Sequence, residues 1–152
     1  MKSFDFPKED MTFDYGERSF ALRAYRDDGS WHSVIIENKT DVNYAWVALG
    51  GWASRGDIKE ALCSYGPVAS MIDVTGDFRD YTGGIFEDRP RSSYGPIPST
   101  DHAVMIVGWD DDKGAWRIRN SWGTDWGEDG AAWVKYGHNG IGWHTVWAIA
   151  KN

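Results

Sequence analysis

From Ser19 the chain shows the two-residue period of strands. Phe20, Leu22 and Ala24 fall on one face and Ala21, Arg23 and Tyr25 on the other. Asp28-Gly29 predicts a two-residue hairpin turn, with a return strand over Trp31–Glu37. Asn38-Lys39-Thr40-Asp41 breaks that strand; its first three residues have the form of a glycosylation sequon but read as a turn. Tyr44–Leu49 is a third apolar run. The period then changes. Ile58, Ala61, Leu62 and Tyr65 recur at i, i+3, i+4 and i+7, which predicts a helix with one apolar stripe. Ser54 or Asp57 is the expected cap, Asp57-x-x-Glu60 resembles a capping box, and Gly66-Pro67 stops the helix. Cys63 lies off the stripe.

A strand over Val68–Val74 follows. Residues 76–101 carry Pro90, Pro96, Pro98 and Gly83-Gly84 and read as loop. Ala103–Val107 is nearly continuously apolar, the pattern of a strand buried on both faces. Ala115–Arg119 alternates again after a turn at Asp110–Gly114. The expected fold is therefore α+β, an antiparallel sheet or partly open barrel with one main helix. Residues 1–18 form a polar arm, and residues 19–152 a single domain.

The last hairpin has a geometric consequence. With a five-residue loop at 110–114, Trp109 faces Ala115, His102 lies across from Trp122, and Val104 lies across from Asn120. His102, Asn120 and Trp122 then converge on one side of the sheet. A four-residue loop shifts the register by one and scatters them. Such a cluster suits a general base, because a neutral amide oxygen can hold one imidazole tautomer while an indole excludes water. A core histidine satisfied by a nearby amide fits the same spacing.

Composition narrows the function classes. The 152 residues are 41% hydrophobic and 15% aromatic, enough to bury a core. A net charge of −7 argues against nucleic acid and anionic membrane surfaces as partners. No run approaches the ~20 apolar residues of a membrane span, and the first residues show no apolar signal segment, which leaves the compartment open. Cys63 is the one cysteine, so no intrachain disulfide forms, and the sequence contains no glutamine. Asp110-Asp111-Asp112 lacks calcium-loop spacing, and His138 and His144 lack zinc-site spacing. Trp133, Trp143 and Trp147 read as packing residues, and the glycines at 137, 140 and 142 form no phosphate motif. No metal or other cofactor is expected.

Asp101-His102-Ala103-Val104 followed by Asn120-Ser121-Trp122-Gly123-Thr124-Asp125-Trp126-Gly127-Glu128-Asp129-Gly130 resembles the C-terminal half of papain-like cysteine proteases. Ile58–Asp73, with Gly66-Pro67-Val68, and then Asp77-Phe78, Tyr81 and Gly84-Ile85-Phe86 resemble the segments preceding that histidine. The likeness is strongest over 55–141. It implies a fold of two halves meeting at a cleft, one helical half bearing the nucleophilic Cys and an oxyanion Gln, the other β-rich half bearing His and Asn. By the same resemblance His102 is the general base, Asn120 its orienting residue and Trp122 its shield. Trp126 and Asp101 are supporting residues, and Ala69 and Ala103 border the pocket for the substrate side chain before the scissile bond.

Departures are equally informative. The oxyanion Gln has no counterpart, Asn139-Gly140-Ile141 lacks the Cys of the family's Asn-x-Cys-Gly-Ile, and no nucleophilic Cys segment is found. Cys63, late in its helix where the dipole disfavours a thiolate, is not expected to replace it. Three readings follow. The chain is a peptidase half-domain, inactive alone, that needs a Cys-bearing helical half to hydrolyse peptide bonds. Alternatively it is a non-catalytic module binding a peptide, another protein or a second copy of itself over the His102 face. Last, the isolated chain does not fold cooperatively.

Overall fold

The computed structural model describes residues 20–25, 31–36 and 42–150. The arm over 1–18 and the turn at Asp28-Gly29 lie outside them. β1 (Phe20–Tyr25) and β2 (Trp31–Ile36) form an antiparallel ribbon. Tyr25 pairs with Trp31 rather than with the His32 that a two-residue turn at 28–29 requires.

The second sheet has seven strands in the order β3 (Val42–Trp52), β9 (Trp143–Ala150), β4 (Val68–Ile72), β6 (His102–Asp110), β7 (Ala115–Arg119), β8 (Ala131–Lys135) and β5 (Ile85–Phe86). Neighbours are antiparallel except β5 and β8, so the sheet is mixed, and it does not close. With few helices among the described residues, the class is α+β, as the periodicities indicate.

The helix α1 spans Arg55–Tyr65 and turns Ile58, Ala61 and Leu62 into the core. Its capping box differs from the expected one. Ser54 Oγ accepts from the Asp57 N–H while the Asp57 carboxylate accepts from the Ser54 N–H, so the pair is Ser54/Asp57 and not Asp57/Glu60. Tyr65 leaves the stripe and stacks on Trp147 at 3.9 Å, remaining 41% exposed. Gly66, at φ 90°, ends the helix by donating its N–H to the Leu62 carbonyl.

Strand β6 is not buried on both faces. Val104 and Ile106 face the core with Val68, Ile72, Trp116, Ile118 and Val134, while Ala103, Met105 and Val107 are half-buried. A run can be apolar on both sides and still face water on one of them. The segment 76–101 is more structured than its prolines suggest. It holds a one-turn helix α2 (Gly76–Arg79) capped by Thr75, the short strand β5 and a 3-10 turn at Arg91–Ser93.

The β6–β7 hairpin corrects and restores the expected register. At its tip Asp110 pairs with Ala115 and Trp109 with Trp116, so the loop is the four residues 111–114. A register shift between Ile106 and Gly108 leaves Val107 as the extra residue of a bulge. Beyond it Ile106 pairs with Ile118 and Met105 with Arg119, the register a five-residue loop gives.

Candidate active site

That register carries His102 and Asn120 to the same face at the end of the hairpin away from its tip. His102 Nε2 lies 2.8 Å from Asn120 Oδ1. The Ser121 backbone N–H also donates to Oδ1, at 2.8 Å, which identifies that atom as the amide oxygen. His102 Nε2 must therefore donate. In the neutral ring the lone pair then sits on Nδ1, the nitrogen free to take a proton. Asn120 is 2% exposed, and among the described residues its Nδ2 has no partner. An unpaired buried donor costs about 1–3 kcal/mol, so the amide is held by its oxygen alone.

Trp122 covers this pair. Its ring stacks on the imidazole at 5.1 Å with 25° between planes, and its outer face leaves it 38% exposed. Behind it stand Phe78 at 5.7 Å and Trp126 at 5.4 Å. Trp126 Nε1 donates to the Phe78 and Arg79 carbonyls, tying the loop after Asn120 to α2.

The glycines of that loop are required by geometry. A Cβ on Gly127, at φ 61°, would lie 2.6 Å from the Ala131 carbonyl, and one on Gly130, at φ 78°, would lie 2.9 Å from the Gly123 carbonyl. Glu128 fixes the loop from the other side. Its carboxylate accepts from Arg117 at 2.5 Å and from the Gly84 N–H at 3.1 Å, and lies 3.0 Å from the Tyr81 hydroxyl. Burial pushes the Glu128 carboxyl up, but these hydrogen bonds outweigh it and hold the group below the usual range. Burial, reinforced by Glu128, pushes Tyr81 up to about 12.

Asp101 supports the site through the backbone. Its carboxylate accepts from the Val74 N–H at 2.9 Å and its own N–H donates to the Ile72 carbonyl, closing the β4–β6 end; it makes no hydrogen bond to His102. Ala103 and Ala69 share a face but are not opposed. Ala103 pairs with Met71, and Ala69 with Met105, so Met71 is the β4 residue beside Ala103. The spacing alone did not single out Met71, because the β4–β6 register had no turn to fix it. Cys63 is exposed on α1 and shares no hydrogen bond with His102. His138 and His144 are half-buried, and Asp110–Asp112 belong to the hairpin tip. No group of three metal-ligating side chains occurs among the described residues.

The family profile described as papain family cysteine protease matches residues 15–149. The chain belongs to the papain family of cysteine proteases. Cathepsin Z of Onchocerca volvulus is 31% identical over 132 residues, covering 84% of this chain and 41% of that protein. Human cathepsin O is 38% identical over 88 residues, covering 57% of this chain and 26% of that one. Among solved structures, procathepsin L 3 of Tenebrio molitor matches with a TM-score of 0.57 at 30% identity, over 70% of this chain and 34% of that chain. A Carica candamarcensis cysteine protease matches with a TM-score of 0.58 at 26% identity, over 72% and 49%. This papain-family chain thus spans half or less of the relatives it matches.

Proposed function

We propose that this papain-family chain supplies the general-base half of a cysteine peptidase site, with His102 as base and Asn120 as its orienting residue. The observation that carries the reading is the 2.8 Å bond from His102 Nε2 to Asn120 Oδ1 under Trp122. It leaves Nδ1 as the basic nitrogen. A cysteine brought to Nδ1 by a helical half-domain would lose its thiol proton to the ring, giving a thiolate–imidazolium pair. The thiolate attacks the peptide carbonyl carbon, and the imidazolium returns its proton to the departing amine as the C–N bond breaks. Water then attacks the thioester while Nδ1 takes its proton, releasing the carboxylic acid and restoring the thiol.

Asn120 holds the ring through both transfers without placing a fixed negative charge beside it. Ala103, with Met71 or Ala69, borders the pocket for the preceding side chain. Cys63 is not positioned to serve as the nucleophile, so the chain is inactive by itself in this reading.

Mixing the chain with a Cys-bearing helical half of a papain-family protease should generate hydrolysis of a fluorogenic peptide. His102→Ala should lower that activity by about 10²–10⁴-fold. An inert mixture, or activity of the chain alone that disappears in Cys63→Ser, would overturn the assignment. The competing reading, a binding module whose His102 face is covered by a protein partner or a second copy, predicts a stable complex over Trp122 with no hydrolysis.

A further inference from the structure

A second concavity lies apart from the His102 pair. It is a cavity of about 420 Å³ between the start of α1, the 3-10 turn and the end of β8. Its floor is apolar and closely packed, from Ile58 and Trp116, which are each 1% exposed. Two arginines stand on its rim. The Arg55 guanidinium lies over the Tyr136 ring at 5.3 Å, and that of Arg91 over the Trp52 ring at 4.6 Å.

Neither guanidinium forms an ion pair or a hydrogen bond among the described residues. One carboxylate that Arg55 does influence is Asp111, whose carboxyl is held below the usual range by Lys59 and Tyr136 first and by Arg55 last. That carboxylate is already held by Lys59 at 2.6 Å and by the Tyr136 hydroxyl at 3.0 Å. In a chain of net charge −7, two cations facing one cavity without a carboxylate are out of keeping with the surroundings.

The walls are fixed in advance. Tyr136 packs edge-on against Trp116 at 4.7 Å, and Trp52 against Trp143 at 5.6 Å. Guanidiniums lying over aromatic rings keep N–H donors free for an oxyanion and lose less side-chain freedom on binding it. The volume is in the range of small-molecule sites and far exceeds what a bare inorganic anion fills.

We propose that this cavity binds a small organic oxyanion with an aromatic body, its charged group between Arg55 and Arg91 and its ring against Trp52 and the floor. The site is independent of peptide hydrolysis. The test is calorimetric titration of the 152-residue chain with phenylacetate and with phenyl phosphate, beside neutral benzyl alcohol and ring-less acetate and inorganic phosphate. At least one aromatic anion should bind in the millimolar range or tighter. The neutral analogue and the matching ring-less anion should bind at least tenfold more weakly. Arg55→Gln and Arg91→Gln, both at exposed positions, should each weaken binding at least fivefold while leaving the melting temperature unchanged.

Absence of binding by either aromatic anion would overturn the proposal. So would benzyl alcohol or a ring-less anion binding equally well, or affinity unchanged in both variants.

Discussion

The two ends of the β6–β7 hairpin are built on opposite principles. At the tip, charges pair at the surface: Asp110 with Lys113 at 2.6 Å and Asp111 with Lys59 at 2.6 Å, each pair having one exposed partner, Lys113 at 42% and Asp111 at 63%. At the other end the His102 imidazole meets a neutral amide at 2.8 Å beneath an indole, with no carboxylate, ammonium or guanidinium hydrogen-bonded to either. Exposed ion pairs are screened and contribute little. A sheltered hydrogen bond is strengthened by the exclusion of water. The hairpin thus leaves its charges where their exact placement matters little and spends its ordered packing on aiming one ring.

The largest expected effect comes from removing the packing behind that ring. Phe78 is fully buried and touches both Trp122 and Trp126. Phe78→Ala should destabilise the chain by about 3–5 kcal/mol in denaturant unfolding. A loss below about 1 kcal/mol would mean that the aromatic cluster is not the support described.

Next comes the pair itself. Asn120→Ala strands His102 Nε2–H and the Ser121 N–H, and should cost about 1–3 kcal/mol by the same assay. If it costs nothing, the unpaired Nδ2 already cancels the bond.

A smaller effect follows from Glu128 and Tyr81, read as stability against pH. The folded carboxyl of Glu128 titrates below its unfolded value, so its contribution is complete above that value and is lost as pH falls through the folded one. Glu128→Gln should therefore be less stable than wild type near neutrality, with the gap closing in acid. Tyr81 moves the other way. Its phenol ionises near 10 when unfolded and about 12 when folded, so stability should decline as pH rises between those values. Tyr81→Phe should flatten that alkaline limb in pH-dependent melting. A gap for Glu128→Gln that widens in acid, or an alkaline limb unchanged by Tyr81→Phe, would contradict the network.

The tip should matter least. Lys59→Met at physiological salt should leave both the melting temperature and the geometry of the His102 ring unchanged within error. A clear shift in either would erase the contrast between the two ends.

How much of this was legible in the sequence depends on whether the signal is local. The helix was, because Ile58, Ala61 and Leu62 declare its buried face and Gly66-Pro67 its end. The run from Asn120 to Gly130 was, because Gly127 and Gly130 are forced by close backbone contacts and Gly123 by its positive φ. The bulge at Val107 was not. A four-residue and a five-residue tip differ by one residue, and a compensating bulge leaves no local mark in an apolar run. The strand β9 was also hidden, since WHTVWAIA is apolar on both sides and shows no clean period. The parallel β5–β8 pairing joins segments nearly fifty residues apart, and only tertiary structure sets it.

The central claim is that Asn120 fixes His102 with its proton on Nε2 and its lone pair on Nδ1. Nitrogen-15 NMR of the histidine rings, recorded at a pH where His102 is neutral, reads this directly. The account predicts a protonated Nε2 and an unprotonated Nδ1 in the wild-type chain, and averaging of the two tautomers in Asn120→Ala. A proton on Nδ1, or a tautomer ratio that Asn120→Ala does not change, would contradict it.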